Sequence, residues 1–108
     1  MKSRDRLQKM RALTQMIRDH DMARLQRLAA AQNLTREKLA QLPMRAQMNI
    51  DPALFSVQQA HLHWSAQQMM HLNLLLARQR AALIEQRAKT ARSFGRADAV
   101  ARLLDHKT

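Results

Sequence analysis

Five histidines and a few acids are the residues of this 108-residue chain whose types could do chemistry. Metal binding from a helix needs ligands three or four residues apart, so that they share a face. His61 and His63 are two apart and point to opposite sides, and His71 lies eight beyond His63. A fold bringing His20 near Leu75, and so near His71, would gather two ligands at most. Asp19, Asp21 and Glu37 are the acids an acid/base set would draw on, yet roughly 200° of helix separates Asp19 from Asp21. Cysteine is absent, which removes disulfides, thiolate ligands and a thiol nucleophile. Gly95 is the single glycine, so there is no Gly-rich loop to cradle a phosphate. Asn33-Leu34-Thr35 has the form of a glycosylation acceptor, but nothing else points to secretion. The residues predict neither an enzyme, a metal site nor a cofactor.

The chemistry that remains is that of surfaces. Lys and Arg number 19 against 8 Asp and Glu, for a formal charge of +11. Such a balance favours acidic partners: nucleic acid, anionic membrane or acidic protein. Arg78, Arg80, Arg87, Lys89, Arg92, Arg96 and Arg102 make the distal part of the chain basic, either as a contact surface or as the solvated face of a long helix. By contrast, Pro52 to Ala77 contains no Asp, Glu, Lys or Arg. Three His, four Gln and an Asn interrupt that window, at a cost that hydrocarbon would not tolerate, so a transmembrane helix is not expected. The N-terminus lacks the apolar stretch of a secretory signal, and a cytoplasmic location is the expectation.

The elements that position these surfaces are helices. Ala, Leu, Gln, Arg and Met dominate, with three aromatics (Phe55, Trp64 and Phe94) and two prolines. Nearly every residue is a good helix former, and the β-branched, aromatic and glycine content that sheets need is missing. A first helix is expected over 3–42, with Ser3 or Asp5 as N-cap. Leu7, Met10, Leu13, Ile17, Leu25, Leu28, Leu39 and Leu42 share one face, although Asp21, Arg24, Gln32 and Thr35 also fall there. Polar positions of this kind weaken a coiled coil and help to fix its register. Asn33-Leu34-Thr35 offers an alternative break, with Thr35 capping a second segment. Pro43 ends the helix, and 43–51 is the connection. Asp51-Pro52 signals a restart, with Asp at the N-cap and Pro at the first helical position. The second helix is expected over 52–94, with Gly95 as the first stop signal and a helical tail over 95–106. A lone glycine costs only about 1 kcal/mol within a helix, so the helix can also run through it.

At 100° per residue, Leu54, Val57, His61, Trp64, Gln68, Leu72, Leu75, Gln79, Ala82, Gln86 and Val100 fall within one broad face of the second helix. On this reading they form the seam, and Leu62, Met69, Met70, Leu74 and Leu76 lie off it. The methionines, Met10, Met16, Met22, Met44 and Met48 among them, read as adaptable core filler. Two helices of nearly equal length joined by a short connection predict an all-α fold: an antiparallel coiled-coil hairpin with a helical C-terminal tail, one domain over 1–108. A bend between Gln47 and Met48 sets Leu7 near Ala88, Ile17 near Arg78, Leu25 near Met70 and Leu39 near Ser56. The tail then overhangs without an intrachain partner.

The basic amphipathic opening RDRLQKMRALTQM, the equal-armed hairpin and the basic closing helix ARQRAALIEQRAKTARSFGRADAVARLL together resemble the small coiled-coil stalk proteins of flagellar and related type III export systems. The resemblance implies a non-enzymatic adaptor that docks into a hexameric export ATPase and contacts the export gate. It implies that the first helix and the segment from Arg87 onward, with Arg92, Phe94, Arg96, Val100 and Leu104, enter the ring. Met69, Leu72 and Leu76 would meet other export components. Two other readings follow from charge and size: a basic helical nucleic-acid-binding protein, and a small accessory subunit of a larger complex. Self-association of two hairpins through their off-seam faces is a further expectation.

Overall fold

A computed structural model describes residues 2–42 and 52–106. Every described residue except Leu42 is helical. Helix α1 spans Lys2–Gln41 and α2 spans Pro52–His106, so the all-α, two-helix expectation holds. Asp5 lies in the first turn of α1 and Lys38 in its last, each complementing the local end of the helix dipole. The chain leaves α1 through a tightened turn in which the Leu42 amide donates to the Leu39 carbonyl at 3.3 Å, with Pro43 next in sequence. Pro52 opens α2 as its sequence position predicts; Asp51 and the connection lie outside the described residues.

Neither interruption weighed from sequence is present. Asn33-Leu34-Thr35 continues α1; the Thr35 hydroxyl donates back to the Ala31 carbonyl at 3.1 Å and so caps nothing. Gly95 is interior to α2 with no positive φ, and the helix ends at His106 instead of at 94. A Cβ built on Gly95 meets nothing within 4 Å. Gly95→Ala is therefore expected to stabilise the protein by about 1 kcal/mol through backbone entropy alone. Urea denaturation followed by circular dichroism measures this, and a midpoint that falls would show that the glycine serves a close approach.

The chain divides into two compact units, Met1–Ala29 with Ala81–Thr108 (unit 1) and Ala30–Arg80 (unit 2). In each, later residues of α1 meet earlier residues of α2. In unit 1 the Arg18 guanidinium lies 5.4 Å from the Phe94 ring centroid, while Asp21 meets Gln86, Thr90 and Ser93. In unit 2 Gln79 bonds the Ala31 carbonyl, and Lys38, Gln41 and Leu42 line a groove with Trp64, Gln68 and Leu72.

This register differs from the one that equal arms predict. A bend between Gln47 and Met48 would set Ala31 beside Trp64; it meets Gln79, fifteen residues (about four turns) further on. The reason lies in the tail. Ala97, Val100 and Leu104 repeat at alternating steps of three and four and are buried within unit 1, against the first half of α1. Sliding the helices to engage them removes from water apolar surface that the equal-armed arrangement leaves exposed. The tail is thus part of the hairpin and does not overhang it.

The phase of the seam differs too. Apart from Gln68, the buried and half-buried positions of α2 in unit 2 are Gln58, Leu62, Ser65, Met69, Leu72, Leu76 and Gln79, and the buried ones in unit 1 are Leu83, Gln86, Thr90, Ser93, Ala97, Val100 and Leu104. That is an unbroken seven-residue repeat. Leu62, Met69 and Leu76, expected off the seam, are in it, while Leu54, Val57, Trp64 and Leu75 are exposed. A 3.6-residue period drifts by about 20° per heptad from a 3.5-residue seam. A stripe drawn at 100° per residue therefore coincides with the true seam only at Leu72, Gln79, Gln86 and Val100 and leaves it elsewhere.

Candidate protein-interaction surface

The heptad repeat places small and polar side chains between the helices. In unit 1 Asp21 is only 2% exposed, and Gln86, Thr90 and Ser93 are buried around it. The Ser93 hydroxyl donates to the Asp21 carboxylate. The Gln86 amide donates to the Asp21 carbonyl at 3.1 Å and to the Thr90 hydroxyl at 3.3 Å, and that hydroxyl donates on to the same carbonyl at 3.3 Å. Three side chains of α2 thus close on one residue of α1. The Ser93 bond, first, holds the Asp21 carboxyl below its ordinary range; burial opposes this, and Lys89, His20 and Gln86 assist.

Unit 2 repeats the device in a looser form. The Ala31 carbonyl accepts from Gln79 at 3.4 Å and from Thr35 at 3.1 Å, while Gln32 and Ser65 are buried nearby in the sequence of the seam. Gln79 Oε1 and Ser65 Oγ are buried without a partner among the described residues. Each such atom costs about 1–3 kcal/mol of lost hydration. Both units therefore have seams that specify register well and stabilise poorly.

Many of the large apolar side chains lie outside the seam. In unit 1 Met10, Leu13 and Ile17 fall on one side of α1 at steps of three and four, and all are exposed, as are Met16 and Leu103. Met10, Leu13 and Ile17 were expected in the stripe; Thr14, Arg18 and Asp21 occupy its heptad positions instead. In unit 2 Leu54, Val57, His61, Trp64, Gln68 and Leu75 form a stripe along α2, with His61 and Trp64 stacked at 5.8 Å. Trp64 and Gln68 also form one wall of the groove of about 420 Å³ whose other wall is Lys38, Gln41 and Leu42. Met70 and Leu74 are exposed on other faces.

The residues assigned to partner contacts from sequence divide accordingly. Arg87, Arg92 and Arg96 are exposed, and Phe94 is exposed beneath the Arg18 guanidinium. Leu76, Val100 and Leu104 are buried in the intrachain seam, and Met69 and Leu72 are half-buried in it, so these five pack within their own chain. Sequence reasoning missed Thr90 and Ser93; the signal was their place in the three-four repeat that continues to Leu104. His20 belongs to unit 1 and His71 to unit 2. Among the described residues no three His, Asp or Glu side chains gather as a metal site, and no helix is long and apolar enough to cross a membrane. Met44 and Met48 lie outside the described residues.

No family model, curated protein or solved structure matches the chain.

Proposed function

We propose that this chain is a non-enzymatic helical adaptor that works by binding other proteins along its length. One observation carries the reading. Asp21, Gln32, Thr35, Ser65, Gln86, Thr90 and Ser93 are turned inward, while Met10, Leu13, Ile17, Val57, Trp64, Met70 and Ile84 are turned out. A monomer selected only for its own stability places these sets the other way round. Contiguous exposed apolar side chains on a soluble helix mark an interaction surface. Exposed arginines at 87, 92 and 96 and the Arg18–Phe94 pair add a basic surface in unit 1 for an acidic partner.

In its specific form, the proposal is a stalk of a flagellar or related type III export apparatus, with the basic surface docking on a hexameric export ATPase and the exposed apolar face of α1 (Met10, Leu13 and Ile17) meeting the export gate. This rests on the sequence resemblance together with the two-helix architecture. Capture from a lysate with the full-length protein as bait tests it. Recovery of a ring ATPase is expected, and changing Arg87, Arg92 and Arg96 together to Glu lowers that recovery by about tenfold or more. Failure to recover a ring ATPase, with DNA or RNA bound instead and released steeply by salt as counterions are displaced, would replace the stalk with a nucleic-acid-binding role.

A further inference from the structure

We infer that the unit 2 stripe from Leu54 to Leu75 is the contact surface for a second copy of this chain, with the two α2 helices antiparallel and a two-fold axis beside Trp64. Leu54, Val57, Trp64 and Leu75 are 46%, 64%, 49% and 42% exposed, and they recur with His61 and Gln68 on one side of the helix. No residue from Pro52 to Ala77 carries a formal charge, in a chain whose net charge is +11.

That charge distribution selects the occupant. Two copies of a strongly basic protein repel, and they can come into contact most cheaply where neither presents a charge. An acidic partner would gain nothing from this stripe, because it offers no cation to pair. The polar groups in the window are Gln, His, Asn and Ser, each of which can both donate and accept hydrogen bonds. Such groups satisfy an identical surface turned through 180°, as an isologous dimer requires.

Charge also fixes the orientation. Side by side in parallel, the helices would bring Arg78 and Arg80 of one copy against the same residues of the other. Antiparallel about the midpoint of the stripe, the two Arg78 positions stand roughly 40 Å apart at 1.5 Å per residue. That is several Debye lengths at physiological salt. Lys38, on the far wall of the groove, sits at the rim, where its ammonium stays hydrated. The arrangement sets Leu54 of each copy opposite Leu75 of the other.

The stripe is about 33 Å long and one helix wide, so each copy buries on the order of several hundred Å². That is at the lower edge of stable interfaces and implies a dissociation constant of micromolar order.

Sedimentation equilibrium of the purified full-length protein across the micromolar range tests the inference, with circular dichroism confirming that each variant keeps its helix content. The wild type is expected to pass from monomer to dimer. Leu54→Glu and Leu75→Lys each weaken the dimer at least about tenfold, since each places a charge against an apolar side chain. Mixing the two variants restores association, because the mixed dimer pairs the new carboxylate with the new ammonium and leaves a Leu opposite a Leu at the other end. A wild type that is monomeric throughout, or that forms species larger than a dimer, overturns the inference. So does a mixture that fails to recover. A monomeric wild type whose Leu54→Glu variant loses a captured protein assigns the stripe to a different occupant, and that also overturns it. The adaptor reading is unaffected by any of these outcomes, since its own test reads ATPase capture through Arg87, Arg92 and Arg96.

Discussion

Leu83→Ala is expected to lower the thermal midpoint by ten degrees or so, while Ile84→Ala beside it leaves the midpoint almost unchanged. The two residues are neighbours of the same size and are equally apolar. Leu83 is 4% exposed and Ile84 is 66% exposed. Truncating a buried Leu removes the transfer free energy of its methyl groups and leaves a cavity, together about 2–4 kcal/mol. An exposed Ile loses little, within about 0.5 kcal/mol. For a domain of this size each kcal/mol moves the midpoint by about 4–8 °C. Buried apolar residues in unit 1 are few (Leu83, Ala97, Val100 and Leu104), so little else can take up the loss. Leu76→Ala and Leu75→Ala form the matching pair in unit 2, with the buried Leu76 as the costly site. Thermal denaturation followed by circular dichroism at 222 nm reads all four. Equal losses at Leu83 and Ile84 would mean that the heptad phase is wrong.

That comparison also shows what the sequence makes legible. Two helices, the end of the first near Pro43 and the start of the second at Pro52 follow from composition, from the proline that removes a donor and from the Asp-Pro restart. These are local properties, and α1 and α2 bear them out at Gln41 and Pro52. Phase and register are not local. Leu75 and Leu76 are equivalent in type, and choosing between them requires knowing whether the seam advances by 3.5 or 3.6 residues per turn. The usual guide, large apolar residues at the seam, misleads here because Ser65, Gln79, Gln86, Thr90 and Ser93 occupy seam positions. Matched arm lengths, an economy of loop closure, are the only guide to register that the sequence offers. What governs it is burial of Ala97, Val100 and Leu104 together with the bonds converging on Asp21 and on the Ala31 carbonyl.

The same polar seam explains how a thin hairpin keeps one register while showing so much apolar surface. A slip by one heptad would bring the Asp21 carboxylate out of reach of Ser93 and leave it buried against Gln79, Gln86 or an aliphatic side chain. Removing hydrogen-bond donors from a buried carboxylate costs far more than exchanging one leucine contact for another. An all-leucine seam would be tighter but indifferent to such slips. A protein that offers its outer faces to partners gains from the first design, because the spacing between its exposed residues on α1 and α2 stays fixed.

Asp21→Asn is expected to lower the stability of the protein at neutral pH and to remove part of its acid sensitivity. The folded-state carboxyl is held below its ordinary value of 3.8, chiefly by the Ser93 hydroxyl and further by Lys89, His20 and Gln86. For a group whose folded-state value is depressed, the native state favours the ionised form more than the unfolded state does. Its contribution is therefore complete above the ordinary carboxylate range and disappears as pH falls through the folded value. Asparagine keeps the shape of the protonated acid but never ionises, so it mimics the low-pH form at every pH. The wild-type midpoint should lie above that of Asp21→Asn at neutral pH, and the gap should close as the solution passes below 3.8. Acid effects elsewhere in the chain are common to both proteins, so that shared loss cancels in the difference. Ser93→Ala should narrow the same gap, because it removes the largest single cause of the depressed value while leaving the charge in place. Thermal midpoints measured in steps from neutral pH to well below the carboxylate range decide the matter. Curves for wild type and Asp21→Asn that stay parallel throughout would show that Asp21 is ionised no more readily in the hairpin than in the unfolded chain.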